Sequence, residues 1–284
     1  MIPNYQAKIY ILLATYNGAK YLKDQLDSLL VQTYKEWVLY IHDDNSSDET
    51  VNIIKEYQSH YIDKIIYIDD TITTGSAKNN FTYLLNYIDD NYDYLMFCDQ
   101  DDIWLPKKIE TTYLEMLKLE VMHPSLPLLV FTDLTVVDQN LNILSNSLMN
   151  YQNKDISIIN SLEYMLVENL VTGCTVMINR QSKELSLPIS KHAIMHDWWI
   201  TLQVKNNNGI ISYLESSYIL YRQHENNDTG AKKFSLLKMF SKISSIYKYK
   251  KTATDLGLDI SFIDIVMTKL LLVTKHIFKK TSKK

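Results

Sequence analysis

The chain lacks most of the motifs that tie a sequence to one chemistry. Its 284 residues contain two cysteines, Cys98 and Cys174, with no CxxC or metal-type spacing. That excludes a disulfide framework and a zinc knot, and leaves two buried free thiols of a reducing compartment as the expectation. No GxGxxG follows the first apolar run, and no GxxxxGK[ST] or GxSxG occurs anywhere. A dinucleotide fingerprint, a P-loop and a serine-hydrolase elbow are therefore excluded. The N-terminus shows no basic segment leading into an apolar core, so no signal peptide is expected. No apolar run reaches the roughly 20 residues of a spanning helix. These absences point to the cytoplasm. No internal repeat is visible, and no low-complexity segment precedes residue 231.

What is present begins with an uneven charge. Residues 231–284 carry 13 Lys and 3 Asp, a net of +10. Residues 1–230 carry 16 Lys+Arg and 30 Asp+Glu, a net of −14, and the two give the chain's −4. An acidic body suits cations, and a basic tail suits an anionic surface. Two units are expected: a body over 1–230 and a basic amphipathic helical extension over 231–284.

The body reads as alternating strands and helices. Apolar runs at 8–14, 37–41, 64–68, 92–98, 128–132 and 210–214 have the length of buried parallel strands. Residues 134–144 read as a hairpin or edge segment, and 172–178 as a further strand. Between them, helical spacing recurs after Gly18, from about Glu49, over 79–87, from Pro106 to about Leu119, over 161–167 and over 194–205. This order predicts an α/β, doubly wound, mostly parallel sheet flanked by helices. In such sheets ligands bind beyond the carboxyl ends of the strands, and three polar clusters fall there: 15–17, 43–48 and 99–102.

Four constellations could carry chemistry. Asp99, Asp101 and Asp102 crowd three carboxylates after a strand, which repel unless a cation or donors neutralise them. Mg²⁺ or Mn²⁺ would take such oxygens together with those of a diphosphate. The plainer alternative is that Asp101 or Asp102 caps the next helix. Asp44, with Asp43 beside it, could accept hydrogen bonds from a nucleoside and faces the Thr15-Tyr16-Asn17 loop; plain turn chemistry is the alternative. Asp197 opens a helix next to Trp198 and Trp199. Partial desolvation would make it a general base, and the indoles could stack on a sugar. A capped helix with core tryptophans is the alternative. Arg222 could meet phosphate or contact the acceptor or sugar, and His224 could meet a metal or phosphate.

Taken in order, Ile11-Leu-Leu-Ala-Thr-Tyr-Asn-Gly18, Gln25 to Tyr34, Asp43-Asp-Asn-Ser-Ser-Asp48 and Phe97-Cys-Asp-Gln-Asp-Asp-Ile-Trp-Leu-Pro106 resemble family 2 glycosyltransferases of the GT-A fold. Val171 to Thr175, Met195-His-Asp-Trp-Trp199 and Tyr221 to Asn227 narrow the resemblance to a rhamnosyltransferase-like branch serving polysaccharide, O-antigen and capsule synthesis. The match spans about residues 7–230. It implies an inverting enzyme with a nucleotide-sugar donor, dTDP-L-rhamnose by branch and UDP-hexoses next. The acceptor implied is a glycan or lipid-linked glycan. By position, Thr15 and Asp44 hold the nucleoside with Tyr16, Asn17 and Asp43 nearby; Asp99 and Asp101 match the DxD element; Asp197 matches the acceptor-side base. His224 matches a further metal ligand of some members. The resemblance implies Mn²⁺ or Mg²⁺ as cofactor and no nucleic-acid partner. The chain departs from the pattern at Asn45, where Gly is common, a mild change because Asn tolerates left-handed backbone.

Two other classes compete. A nucleotidyltransferase would need a glycine- and base-rich phosphate loop, which Ala14 to Gly18 does not provide. A carbohydrate-binding module would not need Asp99, Asp101 and Asp197 together. For the tail, apolar residues at 234, 237, 240, 243 and 246 interleave with lysines, a pattern for lying peripherally on an anionic membrane, there the inner face of the plasma membrane. Packing on the body and dimerisation are the alternatives. Residues 260–278 are apolar but too interrupted to span.

Overall fold

A computed structural model describes residues 6–225 and 243–281. The first strand shows how the sequence builds the layers. β1 (Ile9–Thr15) sends Ile9, Ile11 and Leu13 into one apolar cluster, while Tyr10 and Leu12 enter another on the opposite face. That period of two, with both faces apolar, requires cover on both sides. α1 (Ala19–Leu30) covers the first face through Leu22, Leu26 and Leu29. α3 (Ala77–Tyr87) covers the second through Phe81, Leu84 and Leu85.

Beside β1 lie β2 (Trp37–Asp43), β3 (Ile65–Tyr67) and β4 (Tyr94–Cys98), all parallel, in the order β3-β2-β1-β4. α2 (Thr50–His60) connects β2 to β3. The far half of the sheet contains β8 (Met177–Asn179), β6 (Leu128–Val137), β9 (Ile210–Arg222) and the short β5 (Ile103–Trp104), in that order. β8 runs against both β4 and β6, so β6 and β9 point the same way as β1. The sheet is thus mixed and mostly parallel, flanked by helices on both faces, as the alternation predicted.

Several boundaries move. β6 continues to Val137 and turns back into β7 (Ile143–Ser145), with Asp138 accepting from the backbone N–H groups of Asn140 and Asn142. The edge hairpin is there, and it grows out of β6. β9 runs to Arg222, well past Leu214, because its second half pairs with β5 and with the end of β6. The strand expected over 172–178 is a 3-10 turn at Gly173–Thr175 followed by β8. α4 (Lys108–Met122) begins two residues after Pro106, with Lys107 at its cap position. Asp102 therefore does not cap it; its Oδ1 accepts the Arg222 N–H at 3.1 Å.

Two helices follow the body. The first tail helix, Ile243–Asp255, buries Ile246, Tyr249 and Ala253. The second, Phe262–Thr281, buries Ile265, Leu272 and Val273. Ile246, Tyr249, Ala253, Ile265 and Leu272 join the cluster that holds Phe81 and Trp199. From 243 on, the tail packs against the body. The expected boundary at 230, and the apolar-basic pattern at 234, 237 and 240, lie outside the described residues. Among the described residues no helix is long and apolar enough to cross a membrane.

Candidate active site

Where β1 and β2 end side by side, Thr15 pairs in register with Asp43, and the two side chains meet. Thr15 Oγ1 donates to Asp43 Oδ1 at 2.8 Å. Asp43 also accepts from the Ser46 N–H at 2.7 Å and its hydroxyl at 2.6 Å. Asn17 N–H donates to Ser46 Oγ at 2.7 Å, and Asn17 Oδ1 accepts from Ser47 N–H at 2.8 Å. Asp43 and Asn17 thus stitch two strand-end loops into one rim. Asn17 and Asn45 sit at φ +47° and +63°, the left-handed region that asparagine tolerates where glycine would otherwise stand.

Asp44 stands one residue on. Its carboxylate accepts from the backbone N–H groups of Thr74 and, at 2.9 Å, Gly75. A third support comes from Gln100, which accepts the Tyr16 N–H and donates to the Tyr16 carbonyl, both at 2.9 Å. A Cβ at Gly18 would stand 2.2 Å from Gln100 Oε1, so only glycine leaves room for that bridge.

These loops border a cavity of about 450 Å³. Thr15, Tyr16 and Asp44 line one wall, Asp99 and Asp101 the floor at the β4 exit, and Asp197 with Gly173 the far wall. Six of the residues singled out from sequence are therefore brought to one space, from chain positions up to 182 apart. Asn17 and Asp43 lie behind its rim, holding the loops.

At the floor, His224 Nε2 lies 2.7 Å from Asp101 Oδ2. Burial raises the Asp101 carboxyl above the ordinary carboxylate range, and His224 opposes that rise. Arg222 is buried beneath. Its guanidinium donates to the Asp101 carbonyl at 3.0 Å and to Asp24 at 2.8 Å, and covers the Tyr21 ring at 4.4 Å. The expected contact of Arg222 with substrate phosphate is thus corrected: the guanidinium is consumed in bracing the acidic loop. Ligand atoms of Asp99, Asp102 and Cys174 also lie within 4.8 Å of one another. Asp102 and Cys174 are fully buried, and burial beside the acids keeps the Cys174 thiol protonated. Hard carboxylate oxygens with an imidazole are a donor set for Mn²⁺ or Mg²⁺; Asp101 and His224 meet here, whereas the ligand atoms found close to Asp99 are those of Asp102 and Cys174.

The far wall begins with the helix His196–Asn206. Asp197 lies in its first turn, where carboxylates are favoured, and its Oδ1 accepts the Trp198 N–H at 2.6 Å. Burial pushes its pKa up to about 6, against the Trp198 and Gly173 N–H groups and the Lys154 charge, which pull it down. A Cβ at Gly173 would come 3.2 Å from His196 Nε2, a tight contact, and 3.5 Å from Asp197 Oδ2, an ordinary one, so Gly173 packs against both residues at the head of this helix.

The two tryptophans are corrected as sugar contacts. Trp199 is buried, its indole N–H donating to the Ser186 carbonyl at 2.8 Å. Trp198 donates to the Met165 carbonyl at 2.6 Å and packs against Tyr249 of the first tail helix. Neither lines the cavity. The core reading of the pair prevails, since helical geometry turns positions 198 and 199 away from 197.

Sequence reasoning missed His196, Gln100 and the loop at 73–76, all of which line the cavity. His196 is buried between Phe81 and Phe97, and burial lowers its pKa to about 3. It stays neutral beside Asp197, so it adds no charge that would undo the raised pKa of the acid. Its place directly before Asp197 was the available signal; the 73–76 loop carried none beyond a lone glycine.

Residues 10–127 match the sequence profile described as Glycosyl transferase family 2. Over 235 residues the chain is 29% identical to the dTDP-rhamnosyl transferase RfbG of Shigella flexneri, covering 77% of this chain and 74% of that one. Over 241 residues it is 25% identical to the putative teichuronic acid biosynthesis glycosyltransferase TuaG of Bacillus subtilis, covering 83% and 86%. In fold it is similar to the mannosyltransferase PcManGT from Pyrobaculum calidifontis in complex with GDP-Man and Mn²⁺, with a TM-score of 0.62 at 11% identity over 95% of this chain and 74% of that one. The chain has the GT-A fold, and its residues 10–127 match glycosyltransferase family 2.

Proposed function

We propose that this glycosyltransferase inverts the anomeric centre of its donor sugar in one displacement, with Asp197 as the base. The observation that carries the reading is that Asp197 borders the same cavity as Asp99 and Asp101, with its pKa raised to about 6 by burial. A base with that pKa is deprotonated at neutral pH yet still basic enough to accept a proton.

Thr15, Tyr16 and Asp44 hold the nucleoside, with Asn17 and Asp43 fixing the loops that carry them. Asp99, Asp101 and His224 hold Mn²⁺ or Mg²⁺, which when bound offsets the charge of a departing diphosphate. Asp197 takes the proton of the acceptor hydroxyl as its oxygen bonds to the anomeric carbon. The bond from that carbon to the diphosphate breaks, and the nucleoside diphosphate leaves with the electron pair. Neutral His196 excludes water from the side of the base.

The donor is dTDP-L-rhamnose, a reading supported by the likeness to the Shigella rhamnosyl transferase. The acceptor is a hydroxyl of a growing cell-surface polysaccharide or lipid-linked glycan, which places the enzyme in the cytoplasm, peripheral to the inner face of the membrane. Residues 1–230 form the catalytic unit and 231–284 its extension. A panel of nucleotide sugars scored for nucleoside-diphosphate release with Mn²⁺ or Mg²⁺ tests the donor. Release from dTDP-rhamnose above all others supports this reading; preference for a UDP-hexose replaces it with a hexosyltransferase of the same family.

A further inference from the structure

The second tail helix, Phe262–Thr281, is apolar on two opposite sides. One side buries Ile265, Leu272 and Val273 in the body. The other exposes Ile263 at 71%, Met267 at 51%, Leu270 at 43% and Leu271 at 49%. At about 100° per residue these four fall within one stripe, centred opposite the buried three. A surface helix normally turns polar residues outward, so an apolar outer stripe marks a face made to be covered.

The charge around it selects the cover. The 54 residues from 231 carry a net of +10, and Lys248 and Lys275 stand exposed on the two tail helices. Pairing two such faces would bring two strongly positive tails together. An anionic lipid surface meets both features at once, with headgroups for the lysines and acyl chains for the stripe. Among the described residues no helix is long and apolar enough to cross a membrane, which leaves lying in the interface as the mode such a contact would take.

We propose that the outward stripe Ile263, Met267, Leu270 and Leu271 is a docking face for an anionic bilayer. The first tail helix packs on the helix that carries Asp197, through Tyr249 against Trp198 at 5.7 Å between ring centroids. A tail seated on lipid therefore fixes the base wall of the cavity relative to the surface where a lipid-linked acceptor would lie. That orientation rests on the transfer reaction proposed above, whereas the lipid contact does not.

Co-sedimentation of the full chain with vesicles of phosphatidylcholine alone, or with phosphatidylglycerol at about 30%, tests the face. Binding is expected to the anionic vesicles and to fall at least about tenfold in the double variant Ile263→Ser with Leu271→Gln. The charge variant Lys248→Glu with Lys275→Glu should lose binding as well, with the apolar stripe intact. Both variants should release nucleoside diphosphate from a soluble donor as the wild type does, which separates the surface from the chemistry. Failure of the wild type to pellet, or equal pelleting of wild type and both variants, overturns the proposal. So does a wild-type dimer in analytical ultracentrifugation that the first variant abolishes, since a second copy would then be the cover.

Discussion

His224 Nε2 sits 2.7 Å from Asp101 Oδ2, although the two are 123 residues apart. β9 makes the meeting possible by running thirteen residues to Arg222, which lays the residues after it across the exit of β4. Asp101→Ala is expected to abolish metal-dependent donor binding, and His224→Ala to weaken it by about tenfold, the usual cost of losing one metal-site partner. Isothermal titration of donor with Mn²⁺, and again with chelator, checks both. Binding by Asp101→Ala equal to wild type in metal would remove it as a ligand.

Asp197→Asn should keep donor affinity within about twofold and lower transfer by at least about 100-fold, the scale of a lost general base. In the wild type, transfer should rise with pH through about 6, because only the ionised carboxylate accepts the proton. Retained turnover in the asparagine variant would exclude Asp197 as the base.

The same group shapes stability. Its folded pKa of about 6 lies above the ordinary 3.8, so the folded state binds the proton more tightly than the unfolded chain does. Ionising it costs stability progressively between those values, and the cost is complete above about pH 6. Asp197→Asn should therefore be the more stable protein at pH 8, by on the order of 2–3 kcal/mol. The gap should close towards pH 4. Denaturant melts of the two proteins at both pH values measure it.

Gly18→Ala puts a methyl where Gln100 Oε1 lies and forces that side chain out. Both Gln100 bonds to the Tyr16 backbone are lost, about 1–2 kcal/mol of support for the loop. Donor KM should rise several-fold while kcat changes little. An unchanged KM would show that the Tyr16 loop needs no such brace.

Trp199→Phe leaves the Ser186 carbonyl without its buried donor, at about 1–3 kcal/mol. The melting temperature should fall while acceptor KM holds. A raised KM with unchanged stability would restore the indole to the sugar site.

The layers were legible because Ile9 to Leu13 and Tyr94 to Cys98 are apolar on both faces, and a strand buried on both faces needs helices on both sides. The polar clusters at 15–17, 43–48 and 99–102 were legible because strand ends in such sheets are where chains place function. Three things were hidden, each of them tertiary. Arg222 looked like a phosphate ligand until its partners Asp24 and the Asp101 carbonyl, remote in sequence, came into view. Trp198 and Trp199 look alike beside Asp197, but only the turn of the helix decides which side chain faces the cavity. The Thr74–Gly75 support of Asp44 uses backbone N–H groups, which no residue type announces.

β8 runs against both of its neighbours, so the chain enters it at the edge where β4 leaves. Thr172 and Gly173, just ahead of that entry, therefore reach the cavity without a crossover of their own. The family profile ends at residue 127, before β6 begins. The walls bearing Thr15, Asp44 and Asp101 are encoded wholly ahead of that point, and those bearing Gly173 and Asp197 wholly after it. The reversed strand is the seam between them. A substitution beyond residue 127 can therefore alter the wall of Gly173 and Asp197 without changing the stretch of chain that carries Thr15, Asp44 and Asp101.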